Sequence, residues 1–136
     1  MKFAFQTRDS LYLVLDLLSG GDMRYHLWKR PRFKEKETKF IVSWIILALE
    51  YVHSQGFLHR DIKPENLVFD SRGYVHVTDF GISKKIRTNN KLDSSGTPGY
   101  MAPEVMMRQN HNTSVDFYAV GIIAYECMFQ KVSAYL

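Results

Sequence analysis

The stretch from residue 59 to residue 81 limits what this chain can fold into more than any other part of it. It opens with a charged loop, His59–Asn66 (HRDIKPEN). Two short apolar segments follow, 66–69 and 74–77, and the residues between them (DSRG) are typical of a β-hairpin turn. Because a hairpin reverses the chain, Asp79 should return to the side of Asn66. The fold must therefore hold the charged loop and a second carboxylate together at one end of a hairpin.

The spacing of apolar residues predicts one long helix over residues 35–55, with Gly56 placed to end it. Apolar side chains recur there every three or four residues, which is typical of a helix that packs one face into a core. We expect this buried face to consist of Phe40, Ile41, Trp44, Ile45, Leu47, Ala48, Tyr51 and Val52.

Shorter elements are predicted on both sides of that helix. Residues 79–103 are polar and aperiodic, and a loop of that length in a compact domain is more often functional than idle. The remaining predictions are strands over 3–6 and 10–16, a helix capped by Asp22 that runs to about Trp28, and a short helix over 103–107. A last helix is predicted from about Ser114 or Val115 to Met128, with Ser114 as its candidate cap.

The composition is that of an ordinary globular domain, with 136 residues of which 46% are hydrophobic and 24% charged. The net charge of +4 comes from scattered residues, so we predict a solvated basic surface and no nucleic-acid partner. The most apolar run, 119–127, is too short to span a membrane. Residues 1–8 lack the apolar core of a secretion signal, and Cys127 is the single cysteine. We therefore expect a reducing compartment, the cytoplasm or the nucleus.

Three motifs occur in order along the chain: the loop His59–Asn66, then Asp79–Gly81 (DFG), then Ala102–Glu104 (APE). Each triplet alone would be a weak signal, but the ordered set is the known signature of protein kinases. Over essentially its whole length the chain resembles a eukaryotic serine/threonine protein kinase catalytic domain. The resemblance implies an α+β, protein-kinase-like fold, mainly the helical C-lobe together with the last strands of the N-lobe and the hinge.

The resemblance also assigns catalytic roles within the motifs. Phosphoryl transfer requires positioned phosphates, a metal ion to neutralise charge, and an acceptor hydroxyl held in line. Asp61 resembles the residue that accepts or orients the hydroxyl proton, and Lys63 would place an ammonium group near the transferring phosphoryl group. Asn66 and Asp79 offer the oxygen ligands that Mg²⁺ prefers. ATP and Mg²⁺ are thus the expected cofactors.

Residues of the hinge and its neighbourhood are assigned to the nucleotide by the same resemblance. Leu15 would be the gatekeeper beside the adenine, and the backbone of Asp16 and Leu18 would hydrogen-bond the base. Asp22 could reach the ribose and Val68 would contact the adenine from below. Glu65 is assigned to the nucleotide site as well. Asp22 and Glu65 also stand where similar kinases recognise arginine, so we expect protein substrates with a Ser or Thr acceptor and basic residues upstream of it.

The segment Gly96–Glu104 is similar to the AGC group of kinases, and Asp16–Leu27 fits the YANK-type branch of that group. The activation segment departs from the group at one position, because Asp93 stands where a phosphorylated threonine is usual, four residues before Thr97. A carboxylate can replace a phosphate in part, so we expect Asp93 to pair with Arg60, the family's phosphate partner. Asp93 could equally be a solvated loop acid. The other residues assigned to the activation segment are Ser94, Ser95, Thr97 and Glu104.

The histidines and Asp116 have structural interpretations. We expect His59 to pack in the core and not to act as a base, and Phe80 to pack likewise. The other histidines lack Cys or acidic partners at metal-ligand spacing, so they are predicted to be structural or exposed: His26, His53, His76 and His111. Asp116 suits the first turn of a helix, and in the family this acid also hydrogen-bonds the catalytic-loop backbone. The two roles are compatible.

The resemblance predicts an incomplete domain, with 1–16 as the N-lobe remnant and start of the hinge and 17–136 as the N-terminal half of the C-lobe. The chain contains no Gly-x-Gly-x-x-Gly loop to cover the phosphates. Two functions therefore remain open, an ATP-dependent serine/threonine kinase and an inactive truncated kinase that acts as a binding decoy or has no role. A small-molecule phosphotransferase ranks last, because that class lacks the Ala-Pro-Glu segment.

Overall fold

The computed structural model describes residues 1–30 and 32–130, so the end of the predicted second part, 131–136, lies outside the described residues. The described chain is an α+β arrangement of helices and small antiparallel sheets. The helices are α1 (Met23–Lys29), α2 (Glu35–Ser54), α3 (Pro103–Met106) and α4 (Ser114–Phe129). The strands are β1 (Phe3–Gln6), β2 (Leu11–Val14), β3 (Phe57–Leu58), β4 (Leu67–Phe69), β5 (Val75–Val77) and β6 (Lys84–Lys85).

The core forms where α2 packs against α4, with α1 and the β4–β5 hairpin closing its other sides. Its central side chains are fully or almost fully buried, and each such Leu, Ile or Met contributes about 1.5–3 kcal/mol relative to an exposed position. They include Met23, Leu27, Ile41, Ile45, Leu49, Leu67, Ile123 and Cys127. This core supports the hairpin and the loop before it from below.

The predicted buried face of α2 was wrong in part. Ile41 and Ile45 are buried as expected, but Phe40, Leu47 and Tyr51 are 46%, 53% and 69% exposed. The helix turns Leu49 into the core instead. The apolar arc of α2 covers more than half of its circumference, opposite a stripe of charged and polar residues, so the spacing alone could not set which part of that arc meets the core.

Helix caps show where local chemistry decided the boundaries. Asp22 caps α1 as predicted, because its carboxylate accepts the backbone N–H of Tyr25 at 2.8 Å. The prediction of Ser114 as the cap of α4 was wrong, since Ser114 is already the first helical residue. The side chain of Asn112 accepts the Ser114 N–H at 2.8 Å, and this turn two residues upstream takes the capping role.

The β4–β5 hairpin returns the chain to the charged loop, as the sequence predicted. Its strands pair from Leu67↔Val77 to Phe69↔Val75, and Asp70 accepts the backbone N–H groups of Arg72 and Tyr74 in the turn. At the open end, the backbone N–H of Thr78 donates to the carbonyl of Asn66 at 2.9 Å. Asp79 therefore begins directly beside Asn66.

The β1–β2 hairpin stands apart from the core, and all eight of its strand residues are exposed. The chain then passes from β2 to α1 and makes contact with β4. There, Asp22 forms an isolated bridge with Val68, and Gly20 donates its N–H to the carbonyl of Phe69 at 2.8 Å. No helix within the described residues is long and apolar enough to cross a membrane.

Candidate active site

The charged loop is held from below by the carboxylate of Asp116, which lies in the first turn of α4 and is 1% exposed. It accepts the backbone N–H of His59 at 2.9 Å and that of Arg60 at 2.8 Å. The imidazole of His53, on α2, donates to the same carboxylate at 2.7 Å. Both roles expected of Asp116 are thus present, and His53 has a structural role, as predicted.

Asp61 is the centre of the polar cluster in the loop. Its Oδ1 accepts the hydroxyl of Thr97 at 2.6 Å, and its Oδ2 lies 2.7 Å from Nζ of Lys63 and 3.1 Å from Nδ2 of Asn66. Nζ of Lys63 also donates to the Thr97 hydroxyl at 2.9 Å. The structure therefore brings together the three predicted catalytic residues and one residue of the activation segment.

The surroundings of Asp61 set its charge. Burial alone would raise the pKa of this carboxyl group, but Lys63, Thr97 and Asn66 outweigh that effect and hold the pKa below its ordinary value of 3.8. Asp61 is therefore ionised at neutral pH, with an ammonium and a hydroxyl aimed at it. An ionised carboxylate in this position can orient an acceptor hydroxyl and take up its proton.

Asn66 and Asp79, the predicted metal ligands, suit a hard divalent cation by their chemistry. The Asn66 amide nitrogen donates to the carbonyl of Asp61 at 2.8 Å, which fixes the side chain and turns its oxygen away from that bond. Asp79 is exposed and adopts a left-handed backbone with φ of 61°, and its Oδ1 accepts the Gly81 N–H at 3.1 Å. A neutral oxygen beside a carboxylate is a donor set that Mg²⁺ accepts.

The predicted nucleotide residues lie in two places. Asp22 and Val68 meet in the bridge between the start of α1 and β4. Leu15 is 62% exposed after β2, and the carboxylate of Asp16 forms an exposed ion pair with Lys2 at 3.0 Å. The structure therefore brings two of these residues together and leaves the β2 end open to solvent.

The predicted pairing of Asp93 with Arg60 was wrong. Asp93 forms its ion pair with Lys84 of β6, which lowers the pKa of the Asp93 carboxyl group. Arg60 adds to that lowering from further away. Its guanidinium instead donates through Nε to the carbonyl of Ile82 at 2.7 Å, while its Nη1 is buried with no hydrogen-bond partner among the described residues. Lys84 lies only nine residues before Asp93, and the guanidinium of Arg60 is already bonded to the carbonyl of Ile82.

His59 packs in the core as predicted, with none of its surface exposed. Its Nε2 donates to the carbonyl of Thr78 at 3.1 Å, and Phe80 packs edge-on against the ring at 4.8 Å between centroids. Phe80 is nevertheless 50% exposed, so the prediction that it packs in the core like His59 was wrong in part. Burial lowers the pKa of His59 below 6.5, so the ring is neutral.

Within residues 1–30 and 32–130, no group of three His, Cys, Asp or Glu side chains could hold a metal ion.

The rest of the activation segment runs over the loop towards α3. Ser94 is exposed and Ser95 is half-buried, while Glu104 accepts the Ser114 hydroxyl at 3.5 Å.

Sequence reasoning missed one cluster, in which Arg24 of α1 contacts Glu65, Tyr100 and Glu126. No local signal could have found it, because Arg24 and Glu126 are 102 residues apart.

Comparison with known proteins gives one consistent family. Residues 1–135 match the family described as Protein kinase domain. The chain is 43% identical over 129 residues to Protein kinase 2 of Dictyostelium discoideum, an alignment that covers 94% of the chain and 27% of that protein. It is 44% identical over 130 residues to Putative ribosomal protein S6 kinase alpha-1 of Caenorhabditis elegans (94% and 17%) and 41% identical over 131 residues to human Serine/threonine-protein kinase Sgk1 (95% and 30%). The chain thus spans less than a third of each of these relatives.

Proposed function

Because the chain belongs to the serine/threonine protein kinase family, we propose that the protein containing it transfers the γ-phosphoryl group of ATP to Ser or Thr side chains of protein substrates. The observation that supports this most is the cluster around Asp61, in which the ionised carboxylate contacts Lys63, Asn66 and Thr97. Each of these contacts uses a residue type that phosphoryl transfer needs.

The chain's own residues account for the steps on the acceptor side. Asp61 orients the acceptor hydroxyl and accepts its proton as the new O–P bond forms, while the bond from the γ-phosphorus to the β–γ bridging oxygen of ATP breaks and ADP leaves. Lys63 places a positive charge beside the oxygens of the group that is transferred. Thr97 holds both side chains in register, since its hydroxyl contacts each of them. Pre-positioned groups of this kind lower the barrier because they need no rearrangement during the reaction.

When bound, ATP supplies the phosphoryl group, and the Mg²⁺ bound with it neutralises the negative charge of the phosphates. Asn66 and Asp79 would hold the metal through their oxygens at the open end of the β4–β5 hairpin. We propose that Leu15, Asp16 and Leu18 line the adenine side and that Asp22 and Val68 close the other side. The bridge between Asp22 and Val68 supports this, because it aligns the start of α1 with β4.

Two finer proposals concern substrate choice and activation. Asp22 and Glu65 favour basic residues upstream of the acceptor. The strength of this preference depends on the hydrogen bonds that the two carboxylates already accept within the chain. In the activation segment, Arg60 has a buried Nη1 without a partner, which suits it to a phosphate on Ser94 or Ser95. Asp93 and Lys84 hold the segment in the absence of that phosphate.

We also propose a cytoplasmic or nuclear location, in keeping with a single buried thiol, that of Cys127.

The test is a kinase assay on the full-length protein with Mg²⁺-ATP and a library of Ser- and Thr-containing peptides. We expect phosphoryl transfer that falls by about 10²–10⁴-fold in Asp61→Asn, the range typical of a lost general base. Asp79→Asn should also abolish transfer and should weaken Mg²⁺-dependent nucleotide binding. Glu50→Gln, an exposed change on α2, is the matched control. Nucleotide binding without transfer in the unmodified protein would instead identify an inactive kinase that acts as a binding protein.

A further inference from the structure

The guanidinium of Arg24 reaches three acceptors at once beside the active site. Its Nε donates to Glu65 at 2.8 Å, its Nη2 donates to the hydroxyl of Tyr100 at 2.6 Å, and its Nη1 donates to Glu126. The Tyr100 hydroxyl in turn donates to the second oxygen of Glu126 at 2.6 Å. The four side chains come from α1, the charged loop, the activation segment and α4.

The electrostatics of this cluster require a cation. Glu126 is 4% exposed, and a buried carboxylate without a positive partner is strongly unfavourable. Burial would lower the pKa of Arg24, but its hydrogen bonds to Glu126 and Glu65 outweigh that effect and raise the pKa. Two carboxylates and one guanidinium leave the cluster with a net negative charge. The structure itself therefore shows that this acidic pocket binds a guanidinium group.

The pocket lies next to the place where a substrate would be held. Glu65 precedes Asn66, whose side chain contacts Asp61. Tyr100 follows Thr97 by three residues, and the Thr97 hydroxyl contacts both Asp61 and Lys63. A peptide whose acceptor residue reaches Asp61 must pass close to this pocket.

We propose that Arg24 fills, from within the chain, the acidic pocket that would otherwise bind an arginine of the substrate, and that it thereby limits selection for basic substrates. The proposal rests on the proposed kinase function and refines its substrate preference. A substrate arginine must compete with Arg24 for this pocket, because Arg24 already holds one oxygen of each carboxylate and the Tyr100 hydroxyl holds the second oxygen of Glu126. Arg24 is a specificity-determining residue on this account.

The experiment compares peptides that differ only by Arg or Ala at each of the positions before the acceptor, assayed with the full-length protein. In Arg24→Gln, the ratio of kcat/KM for the Arg peptide over the Ala peptide should rise by about tenfold, the size of one charge-assisted hydrogen bond. Glu65→Gln in the same protein should remove the gain. Arg30→Gln, which removes the exposed pair of Arg30 with Glu37 at the end of α1, is the matched control and should leave the ratio unchanged.

The ratio separates specificity from structure. If Arg24 only supports the fold or the activation segment, its replacement lowers the rates for both peptides equally and the ratio stays constant, which would overturn the inference while the kinase function stands. If Arg24→Gln does not fold, Arg24→Lys decides, since lysine keeps the charge but cannot reach all three acceptors, and the ratio should rise by about threefold. If the unmodified protein phosphorylates nothing, the proposed function fails. The anisotropy of fluorescently labelled Arg and Ala peptides then tests the inference, because Arg24→Gln must lower the Kd of the Arg peptide relative to that of the Ala peptide.

Discussion

The backbone N–H of Arg60 donates to Oδ1 of Asp116 at 2.8 Å, although 56 residues separate the two along the chain. Arg60 has a left-handed backbone with φ of 70°, a conformation that costs a non-glycine residue of the order of 1–3 kcal/mol. The bond to a buried carboxylate offsets this cost and fixes the direction in which the chain enters Asp61. The geometry of the candidate active site is thus set by a residue at the start of α4.

Asp116→Asn should therefore destabilise the protein and slow catalysis together. The amide keeps the shape of the carboxylate but replaces one acceptor oxygen with a donor, so a backbone N–H of His59 or Arg60 loses its partner. We expect the free energy of unfolding to fall by about 1–3 kcal/mol and kcat to fall at least tenfold. Urea unfolding and steady-state kinetics measure the two effects. Glu50→Gln should change neither, and a full-rate Asp116→Asn enzyme would contradict the role assigned to this bond.

The hydroxyl of Thr97 should contribute to keeping Asp61 ionised. Because the pKa of Asp61 in the folded protein is below its ordinary value of 3.8, its interactions stabilise the fold fully above that pH and lose this contribution as the pH falls below it. Thr97→Val removes a 2.6 Å hydrogen bond from the carboxylate and should raise the pKa.

The measurement is an NMR titration of the Asp61 carboxyl carbon, with Thr97→Ser as a control that keeps the hydroxyl. We expect the titration midpoint in Thr97→Val to move to higher pH and the acid limb of the kcat profile to move with it. A midpoint that is the same in all three proteins would show that Lys63 and Asn66 alone determine the ionisation of Asp61.

The parts of the site that follow from the sequence are those encoded by local or strongly directional chemistry. The hairpin that returns Asp79 to Asn66 was predicted because its turn residues and its two short strands are contiguous. The cap at Asp22 was predicted because a side chain that binds an N–H three residues away needs no tertiary information.

The parts that could not be predicted depend on choices among equivalent partners. The sequence contains several cations that could neutralise Asp93, and only the fold shows that β6 presents Lys84 to it. Arg24 meets Glu126 because α1 and α4 converge on the activation segment. The core face of α2 was missed in part for a similar reason, since the apolar arc of this helix is wider than the face that the core covers.

The ion pair of Asp93 with Lys84 should hold the activation segment before any phosphorylation. Asp93→Ala and Lys84→Ala should each lower activity several-fold. The double variant should be as active as the less active of the two single variants, because each change breaks the same pair. Activity of the unmodified protein should also fall between 0.1 and 1 M salt, where the screening length shrinks from about 10 Å to about 3 Å. Kinetic assays of the four proteins on one peptide give the coupling.

Ser94→Ala and Ser95→Ala are the informative comparisons for this prediction. If the ion pair is sufficient, both serine variants keep their basal activity. Phosphorylation of Ser94 or Ser95 in the unmodified protein then raises that activity further through Arg60. Loss of all activity in either serine variant, with no effect of Asp93→Ala, would show that Asp93 is only a solvated loop acid.

Two leucines of α2 give a direct test of which face the helix buries. Leu49 is fully buried against the core and Leu47 is 53% exposed, although both are leucines in the middle of one helix. Leu49→Ala should cost about 2–5 kcal/mol of unfolding free energy, since it removes buried surface and leaves a cavity. Leu47→Ala should stay within about 0.5 kcal/mol, as is typical of exposed sites, and it should reduce self-association because it makes an exposed apolar face smaller. Urea unfolding and light scattering on the pair measure both effects. Equal losses of stability would mean that α2 buries the face predicted from its apolar spacing, because Leu47 would then also lie in a packed environment.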